Sequence, residues 1–114
     1  MRGKISDTAR LQHIKEAIEE IEMYLDGFKV EKFLIDSKTR FATIKQLEII
    51  GEAASKISTT TKDKAKEIDW KAIVGLRNIL VHEYFGVNLE IIWDIATSDI
   101  PDLKKSLLKY GLIN

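Results

Sequence analysis

The stretch FATIKQLEIIGEAASKIS, residues 41–58, points to the fold class because its apolar side chains recur at the spacing of an α-helix. At about 100° per residue, these side chains cover well beyond half of the helix circumference. They are Ala42, Ile44, Leu47, Ile49, Ile50, Gly51, Ala53, Ala54 and Ile57. Only a narrow stripe suits contact with water, formed by Lys45, Glu48, Glu52 and Lys56. A helix this apolar packs on two sides, and in a small domain one side can belong to another subunit.

Helical spacing and capping residues extend the same prediction along the chain. A first helix is predicted over residues 6–26, with Ser6 or Asp7 as its cap and Gly27 as its stop. Three shorter segments are predicted around the helix at 41–58. They are a short helix or turn at 30–35 and a cap at 36–37 before it, and a polar loop at 58–64 at its end. The remaining helices are predicted at 70–84 after Asp69, at 89–98 after Asn88, and from a restart or kink at 99–101 to residue 110.

No alternation typical of a strand and no internal repeat interrupts this pattern. The sequence therefore predicts an all-α fold, a bundle of four to five helices. Its 114 residues suit a single domain spanning residues 1–114, since a second core would not fit.

Composition excludes several classes of function. There is no cysteine and there are only two histidines, which argues against thiolate metal sites, cysteine nucleophiles and His-rich metal cages. We therefore expect no metal and no cofactor. The formal net charge is zero, so any contact with nucleic acid must come from a local cluster of basic residues. The start of the chain lacks the apolar run of a signal peptide, and no stretch has the length of a membrane span, so we expect a cytoplasmic protein without membrane contact.

The segment LRNILVHEYF, residues 76–85, carries the residues best suited to chemistry. In a purely structural interpretation, Arg77 extends to solvent, His82 caps the helix end and Tyr84 packs. The combination of a permanently charged guanidinium with a titratable imidazole favours another interpretation, metal-free cleavage of a phosphodiester. An imidazole can relay the proton of a ribose 2′-hydroxyl while the guanidinium stabilises charge on the phosphoryl oxygens.

Helix geometry limits how this pair can act. Arg77 and His82 are five residues apart and diverge by roughly 140° around a straight helix. Asn78, four residues before His82, could orient its ring, and Tyr84 follows Arg77 on the same face. Either the helix ends near His82, or two copies of it face each other and build a shared site.

The segment from Arg77 to Tyr84 resembles the Arg-x4-His-x-Tyr motif of the HepT-like toxins, a branch of the HEPN (higher eukaryotes and prokaryotes nucleotide-binding) superfamily. The resemblance extends beyond the motif to LEIIGEAA at 47–54, Asp69-Trp70, NLEIIWD at 88–94 and DIP at 99–101. These are five blocks in the same order, between residues 47 and 101.

This resemblance implies a homodimeric HEPN-type bundle whose cleft carries paired Arg and His residues of a metal-independent ribonuclease. It implies that Arg77 and His82 are catalytic, that Asn78 supports them, and that RNA is the substrate. It also implies a toxin–antitoxin pair, in which an MntA-like minimal nucleotidyltransferase antitoxin silences the toxin by transferring AMP to Tyr84.

Two alternatives remain open at this point. The same cleft could belong to a non-catalytic module that binds a nucleotide or a partner and regulates the nucleotidyltransferase, or the chain could be an inactive structural dimer. Among other polar residues, His13 is expected to be solvated, and Trp70 and Trp93 to be core or interface aromatics. The lysines at 62, 64 and 66 are expected to favour solubility, with contact to an RNA backbone as the alternative.

Overall fold

The protein is all-α, as the sequence predicts. The computed structural model describes residues 6–82 and 88–114, apart from the side chains of residues 79, 81 and 82. The elements in these ranges are α1 (Asp7–Leu25), α2 (Val30–Ile35), α3 (Ser37–Ser55), α4 (Thr59–Asp63), α5 (Trp70–His82), α6 (Leu89–Asp94), a π-helical turn (Ile95–Asp99) and α7 (Ile100–Lys109). Four of them, α1, α3, α5 and α7, have ten residues or more and form the bundle.

The predicted start and stop signals of the first helix are confirmed. The Ser6 hydroxyl accepts a hydrogen bond from the backbone N–H of Ala9 at 3.1 Å, which satisfies one of the free donors of the first turn. Gly27 follows the helix with φ 74°, a conformation that glycine adopts without a steric penalty.

The bounds predicted for the second long helix are wrong at both ends. It begins at Ser37 rather than at residue 41, because the Asp36 carboxylate accepts from the backbone N–H of Thr39 and caps it there. It ends at Ser55 rather than at residue 58, because Ser58 is already the cap of the next helix.

That next helix, α4, corrects the prediction of a loop at 58–64. Its first turn is held by Asp7 of α1, whose carboxylate accepts from the backbone N–H of Ser58 at 3.0 Å and from the hydroxyls of Ser58 and Thr61. The Ser58 hydroxyl caps the helix locally by accepting from the backbone N–H of Thr61 at 3.3 Å, and Asp7 binds the same turn from a distant part of the sequence.

Helix α3 lies between α1 and α5, so two of its sides pack within one chain. Gln46 of α3 donates to the Tyr24 hydroxyl of α1 at 3.1 Å, and Leu47, Ile50 and Ala54 are fully buried. The prediction of two-sided packing is confirmed. The two sides are covered by helices of the same chain, and Phe41 at the start of α3 remains 55% exposed.

The C-terminal half departs from the predicted helix at 89–98, since α6 stops at Asp94 and a π-helical turn connects it to α7. The Thr97 hydroxyl donates to the Trp93 carbonyl oxygen at 2.7 Å, a back-bond that bends helices. Pro101 follows in the first turn of α7, a position where proline is common in helices. The restart predicted at 99–101 is confirmed.

Both tryptophans lie in or against the core. Trp70 is 8% exposed and donates from its indole nitrogen to the Ala65 carbonyl oxygen, whereas Trp93 packs its ring 5.2 Å from that of Phe33. Across residues 6–82 and 88–114, no helix combines the length and apolar character needed to cross a bilayer.

Candidate active site

Helix α5 presents Arg77 and Asn78 at the surface. The Asp69 carboxylate caps the helix by accepting from the backbone N–H of Ala72 at 3.0 Å. Leu76 and Leu80, one turn apart, are buried and anchor one face of α5 in the core. Arg77 and Asn78 follow Leu76 on the exposed side.

Gly51 of α3 determines how closely α5 approaches at this point. A Cβ atom at Gly51 would lie 3.2 Å from the carbonyl oxygen of Ile73 and 3.3 Å from both the backbone nitrogen and the Cγ of Arg77. A larger residue would therefore press against the backbone of α5 next to the candidate catalytic arginine. The absence of a side chain at position 51 brings Arg77 alongside α3.

The Arg77 guanidinium forms an ion pair with Glu52, with 2.8 Å between Nη1 and the carboxylate oxygen. Both side chains are about half exposed, at 47% and 48%. The prediction that Glu52 belongs to a water-exposed stripe of α3 is correct only in part. Its pair with Lys56 is present at 3.9 Å, but its nearest cationic partner is Arg77 of another helix.

A groove of about 350 Å³ lies beside this ion pair, between α1, α3 and α5. We call it the Arg77 groove, and its lining residues are Arg10, His13, Lys45, Glu48, Ile49, Glu52, Ala53 and Arg77. The expectation that His13 is solvent-exposed is confirmed. Its place beside Arg77, like that of Arg10, was not predicted, because both belong to a helix far from Arg77 in the sequence.

The remaining predicted site residues are placed only in part. Asn78 is exposed, the backbone of α5 is helical as far as His82, and the His82 side chain lies outside the described part of the protein. Tyr84 lies outside the described residues altogether. Because α5 is helical from Arg77 to His82, these two backbone positions are roughly 140° apart around its axis.

A second cavity, of about 390 Å³, lies between α5, the π-helical turn and α7 and has a different character. Four carboxylates, those of Glu67, Asp69, Asp99 and Asp102, line it together with apolar side chains. A hydrogen bond from Tyr110 lowers the pKa of Glu67, and the same contact raises the pKa of Tyr110. Such a lining repels phosphates, so the Arg77 groove is the better candidate for binding nucleic acid.

No group of three or more potential metal-ligating side chains occurs in the described part of the chain. The candidate site consists of the Arg77 guanidinium, the neighbouring groove and the residues of α5 from Arg77 to His82.

The described residues form an all-helical bundle that carries Arg77 and position 82 of the motif on α5, and this defines the class, a bundle of the HEPN type. Residues 14–109 match the family described as "Ribonuclease HepT-like", and the chain belongs to this family.

Curated relatives agree with this assignment. The chain is 45% identical over 94 residues to "Probable ribonuclease HepT" of Thermococcus cleftensis, covering 82% of this chain and 86% of that protein. It is 36% identical over 99 residues to "Putative RNase MJ1380" of Methanocaldococcus jannaschii, covering 87% and 91%. It is also 38% identical over 97 residues to "Putative RNase TTE0752" of Caldanaerobacter subterraneus, covering 85% and 87%. No solved structure matches the chain.

Proposed function

We propose that the protein is a metal-independent RNA endonuclease in which Arg77 binds the scissile phosphate and His82 transfers protons. The observation that carries this proposal is the exposed Arg77 guanidinium, which lies at the edge of a groove in a chain of the HepT-like ribonuclease family. The printed names of three curated relatives, "Probable ribonuclease HepT", "Putative RNase MJ1380" and "Putative RNase TTE0752", support RNA as the substrate.

The reaction needs no group beyond RNA and the protein's own side chains. A base removes the proton of a ribose 2′-hydroxyl, and the oxygen attacks the adjacent phosphorus. The bond from phosphorus to the 5′-oxygen then breaks, and an acid protonates the leaving oxygen. His82 supplies the proton relay, Arg77 stabilises the charge on the phosphoryl oxygens, and Asn78 supports the imidazole.

The proposed active unit is a two-fold homodimer. Positions 77 and 82 face different directions on the same helix, so one copy of α5 does not direct both groups at one phosphate. Two copies of α5 facing each other across a cleft would pair Arg77 of one protomer with His82 of the other.

The proposed biological role is that of a toxin controlled by an antitoxin. An MntA-like minimal nucleotidyltransferase would transfer AMP to the Tyr84 hydroxyl, with release of pyrophosphate from ATP. The adduct would add a negative phosphodiester and a bulky nucleoside close to where RNA phosphates approach Arg77. Charge repulsion and occlusion would then block substrate without unfolding the protein.

Cleavage by point variants tests the catalytic assignment. Arg77→Ala and His82→Ala are each expected to reduce RNA cleavage at least about a hundred- to a thousandfold and to abolish growth arrest, with unchanged circular dichroism. EDTA should not inhibit the wild type, and DNA of the same sequence should remain intact because it lacks the 2′-hydroxyl. EDTA-sensitive cleavage, or full toxicity of His82→Ala, would favour the non-catalytic binding module instead.

Mass spectrometry tests the modification site. The chain is coexpressed with a minimal nucleotidyltransferase encoded beside it, as wild type and as Tyr84→Phe. Adenylate mass on the wild type that disappears in Tyr84→Phe is the expected result. Equal adenylation of both chains, or full neutralisation of a toxic Tyr84→Phe chain, would exclude Tyr84 as the regulatory residue.

A further inference from the structure

The Arg77 groove contains a second arginine, Arg10, which forms no ion pair in the described part of the chain. Arg10 of α1 is half-buried, and its Nε atom is buried without a hydrogen-bond partner. The other two permanent cations of the groove each have a carboxylate nearby, Glu52 for Arg77 at 2.8 Å and Glu48 for Lys45 at 4.0 Å. Arg10 is therefore the groove cation most available to an anion from outside.

His13 adds a second donor on the same side of α1. It follows Arg10 by three residues, a spacing that places both side chains on one helix face, and it is exposed. Between these donors and Arg77, Ile49 and Ala53 give the groove an apolar lining.

We propose that Arg10 and His13 form a phosphate subsite, which binds the backbone phosphate next to the one held by Arg77. This subsite rests on the proposed ribonuclease function and extends it from a cleavage site to a path for the RNA strand. The path runs from α5 across α3 to α1.

Physical chemistry favours a phosphate at this place. An arginine without an ion-pair partner in the protein gains charged hydrogen bonds when an anion binds. A guanidinium binds two phosphate oxygens at once in a planar geometry, and an imidazole nitrogen can donate to a third. The apolar lining suits the sugar or base that connects two neighbouring phosphates.

Equilibrium binding to a single-stranded RNA oligonucleotide tests the subsite. Every chain carries His82→Ala so that the RNA is not cleaved, and Kd is measured over a series of salt concentrations. The two test variants are Arg10→Gln, which keeps a long side chain over the core, and His13→Gln. The matched control is Lys105→Gln, which removes one exposed charge on α7 outside the groove.

Arg10→Gln is expected to weaken binding about tenfold, the effect of losing one charged hydrogen-bonding group. It should also reduce the slope of log K against log salt by about 0.7, the value for one phosphate contact on a single strand. His13→Gln should weaken binding about threefold, whereas Lys105→Gln should leave the Kd and the salt dependence unchanged. In chains that retain His82, Arg10→Gln should raise KM and leave kcat unchanged.

The outcomes separate the subsite from the function on which it rests. If the wild type cleaves RNA while Arg10→Gln and His13→Gln both bind like Lys105→Gln, the subsite is wrong and the ribonuclease function stands. If the wild type neither binds nor cleaves RNA, the function itself fails. Should Arg10→Gln lose its helical circular dichroism, His13→Gln decides alone, because His13 is exposed and its replacement leaves the core intact.

Discussion

The positive charge of Arg77 is paired with a carboxylate when no RNA is bound, and this pair affects how a substrate phosphate can bind. Its guanidinium lies 2.8 Å from Glu52, so an incoming phosphate must compete with that carboxylate or bind beside it. Because both side chains are about half exposed, water weakens the ion pair, and its contribution to stability is at most about 1 kcal/mol.

Neutralising Glu52 tests this competition. Glu52→Gln removes the negative charge beside the phosphate position. In a chain that also carries His82→Ala, RNA should therefore bind about two- to fivefold more tightly, a change that matches the free energy of an exposed ion pair. Thermal melting should change little. The control is Glu22→Gln, which removes a carboxylate paired with Lys104 at 3.0 Å outside the groove, and it should leave Kd unchanged. Weaker RNA binding by Glu52→Gln would show instead that Glu52 orients Arg77 for substrate.

At the scale of the element, the close approach of α3 and α5 depends on a single glycine. Gly51 faces the backbone of α5, whereas a Cβ at Gly75 of α5 would meet no described atom within 4 Å. Both glycines are in helices, so replacement by alanine gives both the same gain in helix propensity, about 1 kcal/mol. They differ in what the new methyl group meets and in burial, since Gly51 is buried and Gly75 half-buried.

This pair of glycines gives a matched test of helix packing. Gly75→Ala should stabilise the protein by about 0.5–1 kcal/mol. Gly51→Ala should be less stable than Gly75→Ala by about 1–3 kcal/mol, since its methyl group must displace the backbone of α5. Chemical denaturation of the wild type and both variants measures the difference. Equal stabilisation by both substitutions would contradict the tight contact at Gly51.

The start of α3 gives a prediction about pH. A hydrogen bond from the backbone N–H of Thr39 lowers the pKa of Asp36 below 3.8. The cap therefore contributes its full stability above about pH 4, and this contribution is lost as the pH falls from 3.8 through the lower pKa of the folded state. Asn caps a helix equally well without titrating. Asp36→Asn should thus melt like the wild type at pH 7 and lose less stability in thermal scans toward pH 3.

At the scale of the whole molecule, the wide apolar surface of α3 does not itself require a second subunit, because α1 and α5 cover it. Large apolar side chains nevertheless remain exposed, among them Ile35 at 83%, Phe41 at the start of α3 at 55% and Ile91 at 50%. The case for a dimer depends on these side chains and on the divergent positions of Arg77 and His82.

We therefore expect a two-fold homodimer at micromolar concentration, with an interface above about 1,000 Å² in total. Sedimentation velocity measures the assembly. Mixing inactive Arg77→Ala with inactive His82→Ala should restore part of the cleavage, because a mixed dimer retains one complete site. A monomer in sedimentation, or no activity from the mixture under conditions where subunits exchange, would exclude the shared site.

The sequence by itself predicted the long helices α1, α3, α5 and α7 and indicated residues 77–84 as the candidate catalytic segment. A cap such as Ser6 or Asp69 acts within one turn, and apolar periodicity is a property of neighbouring residues, so both can be recognised without a tertiary structure. The Arg-x4-His-x-Tyr pattern spans only residues 77–84, so it too can be recognised from the sequence alone.

Only the tertiary structure decided what surrounds Arg77. Its ion pair with Glu52, and the presence of Arg10 and His13 in the same groove, depend on how three helices pack against each other. The contacts between Asp7 and the first turn of α4 likewise join residues that are distant in the sequence. No local pattern encodes such contacts, because the residues that form them are brought together by burial of side chains on other faces of the same helices.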